Sequence, residues 1–551
     1  MKKTNFYILL AILLITAACN KDIRQNLDLK DVNYPVVNLP TTLGVVYLSD
    51  TTIRIEPEIT QNVAQNENNL RFEWGYSPTS IPWARIQPTE TSTERFFDLT
   101  ISVDAPVFSH FFWLEVTDNL TGITYPFFTQ LTVIRPFTTV WTILHSVDGS
   151  PAILGAVEYA TNLEHPVVHS DLFERFGHTP LTGAPVMLAR NAADNSTLEG
   201  GYAPTVRNTL FLLTSNPEES TVYLPSAFFR PYMEGVFIPN MIYNYADANF
   251  DMSAVKHISR TEGGGGAVTN DGRFFVIRNG MKWYEVTKVA ADAQGEHPIR
   301  IDKALQVGSI TLMFDGANRQ FVYHVNAGVN VGGYDGGHPE VGNFSDNENP
   351  GEITGMDRPV NPDSISLRNI PHNVLHIGVG SRVRPDLYMQ VRSFAIALGQ
   401  NGNTFVYLFP IAGNIWNGSE FQSIEEVREL ATPAGLDENS LFASSTAFHN
   451  IAFFTSGSNV YRLDFSTGAA SRIYSHPGGG EIAVMRMATP ESTQANNFRA
   501  AYGHSTEHSL GLAINRAGRG ELVVLNLNAA GEVVTTAIHE GFGAITDICF
   551  L

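Results

Sequence analysis

The chain has 551 residues, 43% of them hydrophobic and 16% charged, and a formal net charge of -20 at neutral pH. That balance excludes a disordered polyampholyte and argues against nucleic acid, whose phosphates need a surplus of Lys and Arg. With only 2 cysteines there is no disulfide framework, so stability must come from a large core spread over several domains or one repeat architecture.

At the start, Lys2 and Lys3 precede an apolar and small-residue run over residues 6–18, and Thr16, Ala17 and Ala18 stand before Cys19. A basic start, an apolar core too short to cross a bilayer as a helix, and small residues at the end make an export signal. The last four positions resemble a bacterial lipobox, with Thr16 where Leu is commonest. The resemblance implies cleavage after residue 18, lipid on the Cys19 thiol, and an anchor in the outer membrane. Residues 19–33 are polar and read as a lipidated tether. Its opening, with Lys21 and Asp22, resembles the surface-export signals of Bacteroidota lipoproteins; a plain solvated linker has the same composition.

Residues 34–136 carry short alternating strands, among them VVYLSDTTIRIEPEI, LRFEWGY and FFWLEVTDNLTGITYPFFTQLTVI, the last folded about a turn at Asn119 to Gly122. A domain of this size with Trp74 on a middle strand predicts an immunoglobulin-like sandwich without a disulfide, and Trp74 is expected in its core.

From residue 137 to 551 one hairpin pattern recurs: an apolar strand, a turn of Gly, Asn, Asp or Ser, and a strand ending near a Val-Tyr pair. It runs through WTILHSVDGSPAILGAV, LFLLTSNPEESTVYLP, FFVIRNGMKWYEV, TLMFDGANRQFVYHV, FAIALGQNGNTFVYLF, IAFFTSGSNVYRLDF and LGLAINRAGRGELVVLNL. Each hairpin is too small to bury its own face, and radial stacking buries them all. The expected fold class is therefore all-β, a sandwich followed by a β-propeller-like domain of about seven blades, with the terminal AITDICFL closing the ring and Cys549 a buried thiol. An irregular second sandwich or barrel is the alternative.

The lipobox, the tether, FEWGY around Trp74, WLEVTDNLTGITY from Trp113 to Tyr125, and VWTILHSVDGSPAIL from Val140 to Leu154 together resemble the PKD-like family lipoproteins of Bacteroidota. The chain departs from archetypal PKD repeats after the tryptophan, where Tyr76, Ser77 and Pro78 follow Gly75 in place of a glycine-aspartate turn. The resemblance implies association with uptake systems of the SusC/SusD type and accessory binding of glycan or peptide, and it transfers no catalytic residue.

Several motifs invite chemistry. His504, Glu507 and His508 match the HxxEH spacing of inverted zinc peptidases, but Gly503 and the serines around them favour a loop over the helix that zinc would need. His372 and His376 are four apart and would share a face of a strand. Asp346, Glu348 and Asp357 occupy the first, third and twelfth positions of a calcium-type loop, with Pro350 where an oxygen ligand belongs and no flanking helices. Gly263 to Gly266 lacks the Lys-Ser/Thr of a phosphate loop and reads as a flexible connection into a blade, as does Gly478 to Gly480. Trp416, among amides, and Tyr334, Asp335 and His338 in GGYDGGHPE are the ligand-binding candidates, weighed against packing on a neighbouring blade. No metal, cofactor or catalytic residue is expected.

These features favour a non-enzymatic, lipid-anchored protein that binds glycan or peptide nutrients beside a TonB-dependent transporter. The alternatives are a propeller-type hydrolase or lyase, which needs two carboxylates across a cleft, and a structural subunit of the transporter complex. Replacing Cys19 with Ser is expected to abolish incorporation of labelled fatty acid and to release the protein from the membrane fraction; labelling that survives the substitution contradicts the anchor.

Overall fold

The computed structural model describes residues 33–39, 51–62, 66–77, 90–101, 109–132, 137, 139–149, 151–159, 166–191, 209–225, 229–231, 237–243, 251–261, 264–277, 283–286, 289–292, 295–307, 310–325, 354–355, 368–382, 391–409, 424–488 and 508–551. The chain divides into two compact units, Met1–Arg135 and Pro136–Leu551.

The first unit is a sandwich. Its larger sheet orders Glu90–Ser92, Leu70–Ser77, Ser109–Asp118 and Thr124–Thr132, all antiparallel. Strand alternation sends Phe72, Trp74 and Tyr76 from one strand, and Phe112, Leu114 and Val116 from the next, to the same side. There they meet Ile53, Ile55, Phe97 and Leu99 from the paired strands Thr51–Ile55 and Phe97–Ile101. Trp74 is a core residue, and its indole N–H donates to the Glu94 carbonyl at 3.0 Å.

The second unit is a ring of seven blades among the described residues, each built on four antiparallel strands. The third also carries Ile242–Tyr243 parallel to its outermost strand, and the fourth carries Val289–Asp292, parallel to its outermost strand, with Gly295–Pro298 beyond it. From axis to rim, the first blade runs 544–550, Val140–Ser146, Ile153–Glu158, Val167–His169. The second is Pro185–Asn191, Thr209–Thr214, Thr221–Leu224, Arg230–Pro231, and the third Val255–Thr261, Gly264–Thr269, Phe274–Ile277, Trp283–Glu285. The fourth is Ile301–Val307, Ile310–Asp315, Gln320–Val325, Thr354–Gly355, and the fifth Asn373–Arg382, Val391–Leu398, Thr404–Leu408, Glu426–Leu430. The sixth is Phe442–Ala443, Ile451–Ser456, Asn459–Asp464, Ala469–Ser475. The seventh is Glu481–Met487, Ser509–Arg516, Arg519–Leu527 and residues 533–543.

One long strand, Val533–Phe550, closes the ring. Its first half is the outer strand of the seventh blade, and its second half is the inner strand of the first, paired with Val140–Ser146. The strand passes from one blade to the next between Gly543 and Ala544, just after Gly541, whose φ of 108° lies where side-chain-bearing residues are strained. The closing segment AITDICFL thus plays the part its sequence predicts. It buries Ile545, Ile548 and Phe550 against Trp141, Ile143 and Val157. Truncating any one such side chain costs roughly 2–5 kcal/mol, which is comparable with the net stability of a domain.

Apolar clusters seal the remaining seams in turn. One packs the second blade on the third around Phe211, Phe275 and Trp283, and another packs the fifth on the sixth around Phe394, Phe454 and Phe465. Between the first and second blades, the Phe137 and Phe229 rings meet edge-on at 5.1 Å.

The recurring hairpins form the second and third strands of six blades. The exception is the third blade, where FFVIRNGMKWYEV supplies the third and fourth strands. Its second strand is the glycine run itself, Gly264–Thr269, which is paired sheet and not the connection its composition suggests. A Cβ at Gly266 would stand 2.5 Å from the Phe274 ring, so glycine there is required by a neighbouring aromatic.

Candidate functional site

Each blade ends at the axis in an inner strand whose far edge is largely unpaired; among the described residues only the second and third blades pair there, through a short parallel pairing at Asn191 and Arg260. In six of the seven, the ladder slips by one residue at an equivalent point: between Pro185 and Met187, Val255 and His257, Ile301 and Lys303, Val374 and His376, Ile482 and Val484, and Ile545 and Asp547. A β-bulge of this kind bends the strand and re-aims the side chains beside it. Four of the six residues just after the bulge are titratable: His257, Lys303, His376 and Asp547.

The free backbone edges of these strands need partners, and side chains from adjacent inner strands supply some of them. Asp547 accepts the Leu188 N–H at 2.8 Å and its neighbour Ile548 N–H at 2.9 Å. Arg486 donates to the Leu188 carbonyl at 2.9 Å and to Asp547 at 3.0 Å. Residues of the seventh and first blades therefore clamp the edge of the second. Lys256 donates to the Ile301 carbonyl at 3.2 Å, and the Val379 N–H donates to the Ser444 hydroxyl at 3.1 Å. Burial pushes the Asp547 carboxyl above the usual range, opposed by the guanidinium and the two amide donors.

The charges also reach across the ring. Burial first, then the Arg486, Lys256 and Lys303 cations, push the His257 imidazole down to about 4. Burial, Lys303 and His257 push His376 down to about 3. Arg486 belongs to the seventh blade and His257 to the third, which are not neighbours, so their interaction runs through the axis. Lys303 is exposed to solvent, yet burial holds its ammonium below the ordinary lysine value, with Asp302 opposing. That combination describes a cation in an enclosed, water-reached space. Its ammonium has no hydrogen-bond partner among the described residues. The Nε2 atoms of His257 and His376 are buried and also without a hydrogen bond there. Arg486 is matched by Asp547, which leaves Lys303 and two neutral imidazoles as unspent polar capacity. This arrangement suits an anionic group brought to the axis.

The sequence-level candidates fall differently. Trp416, Tyr334, Asp335, His338, Asp346, Glu348, Asp357, Cys19, His504 and Glu507 lie outside the described residues. His508 packs edge-on against Phe448 at 5.2 Å. His372 and His376 do not share a face. His372 lies just before the strand Asn373–Arg382 and stacks on Phe405 within its own blade, while His376, past the bulge at Leu375, stacks on Phe442 of the sixth. Cys549 is buried, and burial pushes its thiol up to about 12. Among the described residues, no group of three or more His, Cys, Asp or Glu stands ready to hold a metal ion. Lys303, His257, Arg486 and Asp547 carry no recognisable motif. Their only sequence signal is an apolar-x-x-apolar frame repeated as PVML, VKHI, IDKA, VLHI, IAVM and ITDI.

Residues 20–185 match the model of the PKD-like family, a span that includes the sandwich and the Val140–Ser146 hairpin of the first blade. No curated protein matches the sequence. Among solved structures, the chain is similar to a quinonprotein alcohol dehydrogenase-like protein of Bacteroides thetaiotaomicron, at 15% identity over 94% of this chain and 99% of that one, with a TM-score of 0.39. It is similar to the extracellular domain of a one-component system of the same organism, at 10% identity over 81% and 56%, with a TM-score of 0.33. The WD40 domain of fission-yeast SCAP aligns at 9% identity over 64% and 73%, with a TM-score of 0.27. Likenesses this weak carry no functional weight, and the ring rests on its own strand pairing.

The two axial histidines make the ring acid-sensitive. Their folded pKa values of about 4 and about 3 lie below the unfolded value, so the stability they permit is full above pH 6.5 and is lost as pH falls towards those values. Denaturant melts from pH 7.5 down to 4 are expected to show a loss of about 3 kcal/mol per histidine. The double substitution His257→Asn and His376→Asn should remove most of it; an unchanged slope in the double variant contradicts the assignment.

Proposed function

We propose that this protein is a lipid-anchored accessory protein of the outer-membrane surface, which captures a glycan or peptide fragment through an anionic group and holds it beside a TonB-dependent SusC/SusD-type transporter. The observation that carries the binding role is the Lys303 ammonium at the ring axis, near His257 and His376, with no hydrogen-bond partner among the described residues and only the Asp302 carboxylate, itself paired with Arg300, to offset its burial. A partly desolvated cation with no hydrogen-bond acceptor is disfavoured in the empty protein and is relieved when an anion arrives. The lipobox at Cys19 and the PKD-like match over residues 20–185 support the placement at the cell surface.

An enzyme of the glycosidase type would need two carboxylates facing a substrate. Of the carboxylates near the axis, Asp547 is already committed to Arg486 and to two backbone amides, and Asp302 is paired with Arg300. A purely structural subunit leaves the Lys303 ammonium without a role.

Calorimetric titration of the mature protein with oligogalacturonate, oligoglutamate and maltoheptaose tests the reading. One of the two anionic probes is expected to bind, and Lys303→Met should weaken it about ten- to a hundredfold, the worth of one charge-assisted hydrogen bond. The melting temperature should stay level or rise, because the variant removes a desolvated charge. Equal affinity in the variant, or binding confined to maltoheptaose, contradicts the axial anion site.

A further inference from the structure

The outer face of the sandwich's larger sheet is aromatic where solvent-facing strands are ordinarily polar. Phe112, Leu114 and Val116 point into the core, so alternation turns Phe111, Trp113 and Glu115 outward. In register, Gly75, Trp113 and Phe128 form one row across three strands; Ser77, Phe111 and Gln130 form the row on one side, and Glu73, Glu115 and Pro126 the row on the other. A Cβ at Gly75 would fall 1.9 Å from the Trp113 six-membered ring, so the indole lies across the bare Gly75 backbone instead of standing off the sheet. Phe128, directly opposite Trp113, is 62% exposed, and its ring stacks on Phe111 at 5.9 Å with 26° between planes. Glu115 is exposed, and Glu73 is half exposed in a loose pair with Arg71.

A cross-strand aromatic covering a glycine has a structural use, shielding a backbone that has no side chain of its own. That accounts for Trp113. It does not account for Phe128, which covers no glycine and leaves most of its ring in water. Exposed apolar surface bordered by polar groups marks a binding face.

We propose that Trp113, Phe128 and Phe111 form a platform for an uncharged oligosaccharide. A pyranose ring offers an apolar C–H face that stacks on a flat aromatic, and hydroxyls that donate to carboxylates. The row beside the aromatics supplies those acceptors, Glu73 and Glu115. Two carboxylates on the same face repel a polyanion, so the ligand here is neutral, unlike the one drawn to the axial cation. The platform stands on its own observations and does not depend on the axial site.

The test uses the full mature protein and four soluble probes, maltoheptaose, cellohexaose, mannohexaose and xylohexaose, followed by calorimetry and tryptophan emission. Trp113→Ala strips the cover from Gly75 and lowers the melting temperature by itself, so Phe128→Ala is the reporting variant. At least one probe is expected to bind and to shift tryptophan emission. Phe128→Ala should weaken it fivefold or more at an unchanged melting temperature, and Lys303→Met should leave it alone. Loss with Lys303→Met but not with Phe128→Ala would assign sugar binding to the ring and overturn the platform. So would the absence of binding by all four probes, or a self-association of the wild type that Phe128→Ala abolishes, which would assign the face to a second copy of the chain.

Discussion

The pairing of residues 544–550 with Val140–Ser146 is the constraint on which the second unit depends. Before it forms, seven small sheets each expose an apolar face and an open edge, and none can bury its own surface. Once it forms, each sheet has a neighbour on both sides. The contacts that define it are the most distant in sequence that the unit makes, such as Thr142 donating its hydroxyl hydrogen to the Cys549 carbonyl at 2.9 Å. Loop-closure entropy therefore weighs against the ring until its last strand docks. A strand shared by the last and first blades lets that docking complete two sheets together.

The same closure creates the axis. Seven inner strands brought side by side present backbone edges that strand pairing leaves largely unmet, apart from the short pairing of the second and third at Asn191 and Arg260, and the ring meets part of that need with Asp547, Arg486, Lys256 and Ser444. The bulges in six inner strands accompany this use, placing His257, Lys303, His376 and Asp547 at matched points of different blades. Structure and candidate function are thus one device: the distortion that lets flat strands converge also lets their side chains meet. The polar cost is unequal. Asp547 is matched by Arg486 and amides, whereas Lys303 has only the charge of Asp302 to offset its burial, and proteins keep such costs where a ligand relieves them.

How much of this can be read from the sequence varies by element. The sandwich core is legible because Phe72, Trp74 and Tyr76 alternate cleanly. Blade hairpins are legible because their paired strands are apolar on both faces and joined by turn residues. The third blade is misread by one strand, since Gly264 to Gly266 carry no side chains from which to read a period. The axial residues are not legible. Lys303 and His257 sit in short frames interrupted by a bulge, and a bulge breaks the periodicity that reveals a strand. The partners that give them meaning lie on other blades: Arg486 comes nearly two hundred residues after Lys303. His372 and His376 show the same limit, since their spacing predicts a shared strand face, whereas the strand begins only at Asn373 and carries a bulge before His376. The aromatic row on the sandwich needs the register between strands, which fixes that Gly75, Trp113 and Phe128 align.

The central claim is that side chains from separate blades meet at one axis, with Lys303 between the two histidines. Imidazole titration by NMR on isotope-labelled histidine, in the wild type and in Lys303→Met, measures it most directly. The account predicts that His257 and His376 titrate well below the other histidines in the wild type, and that removing the one lysine raises both, although they belong to the third and fifth blades. Two histidines titrating near 6.5, or a variant in which neither moves, would contradict it.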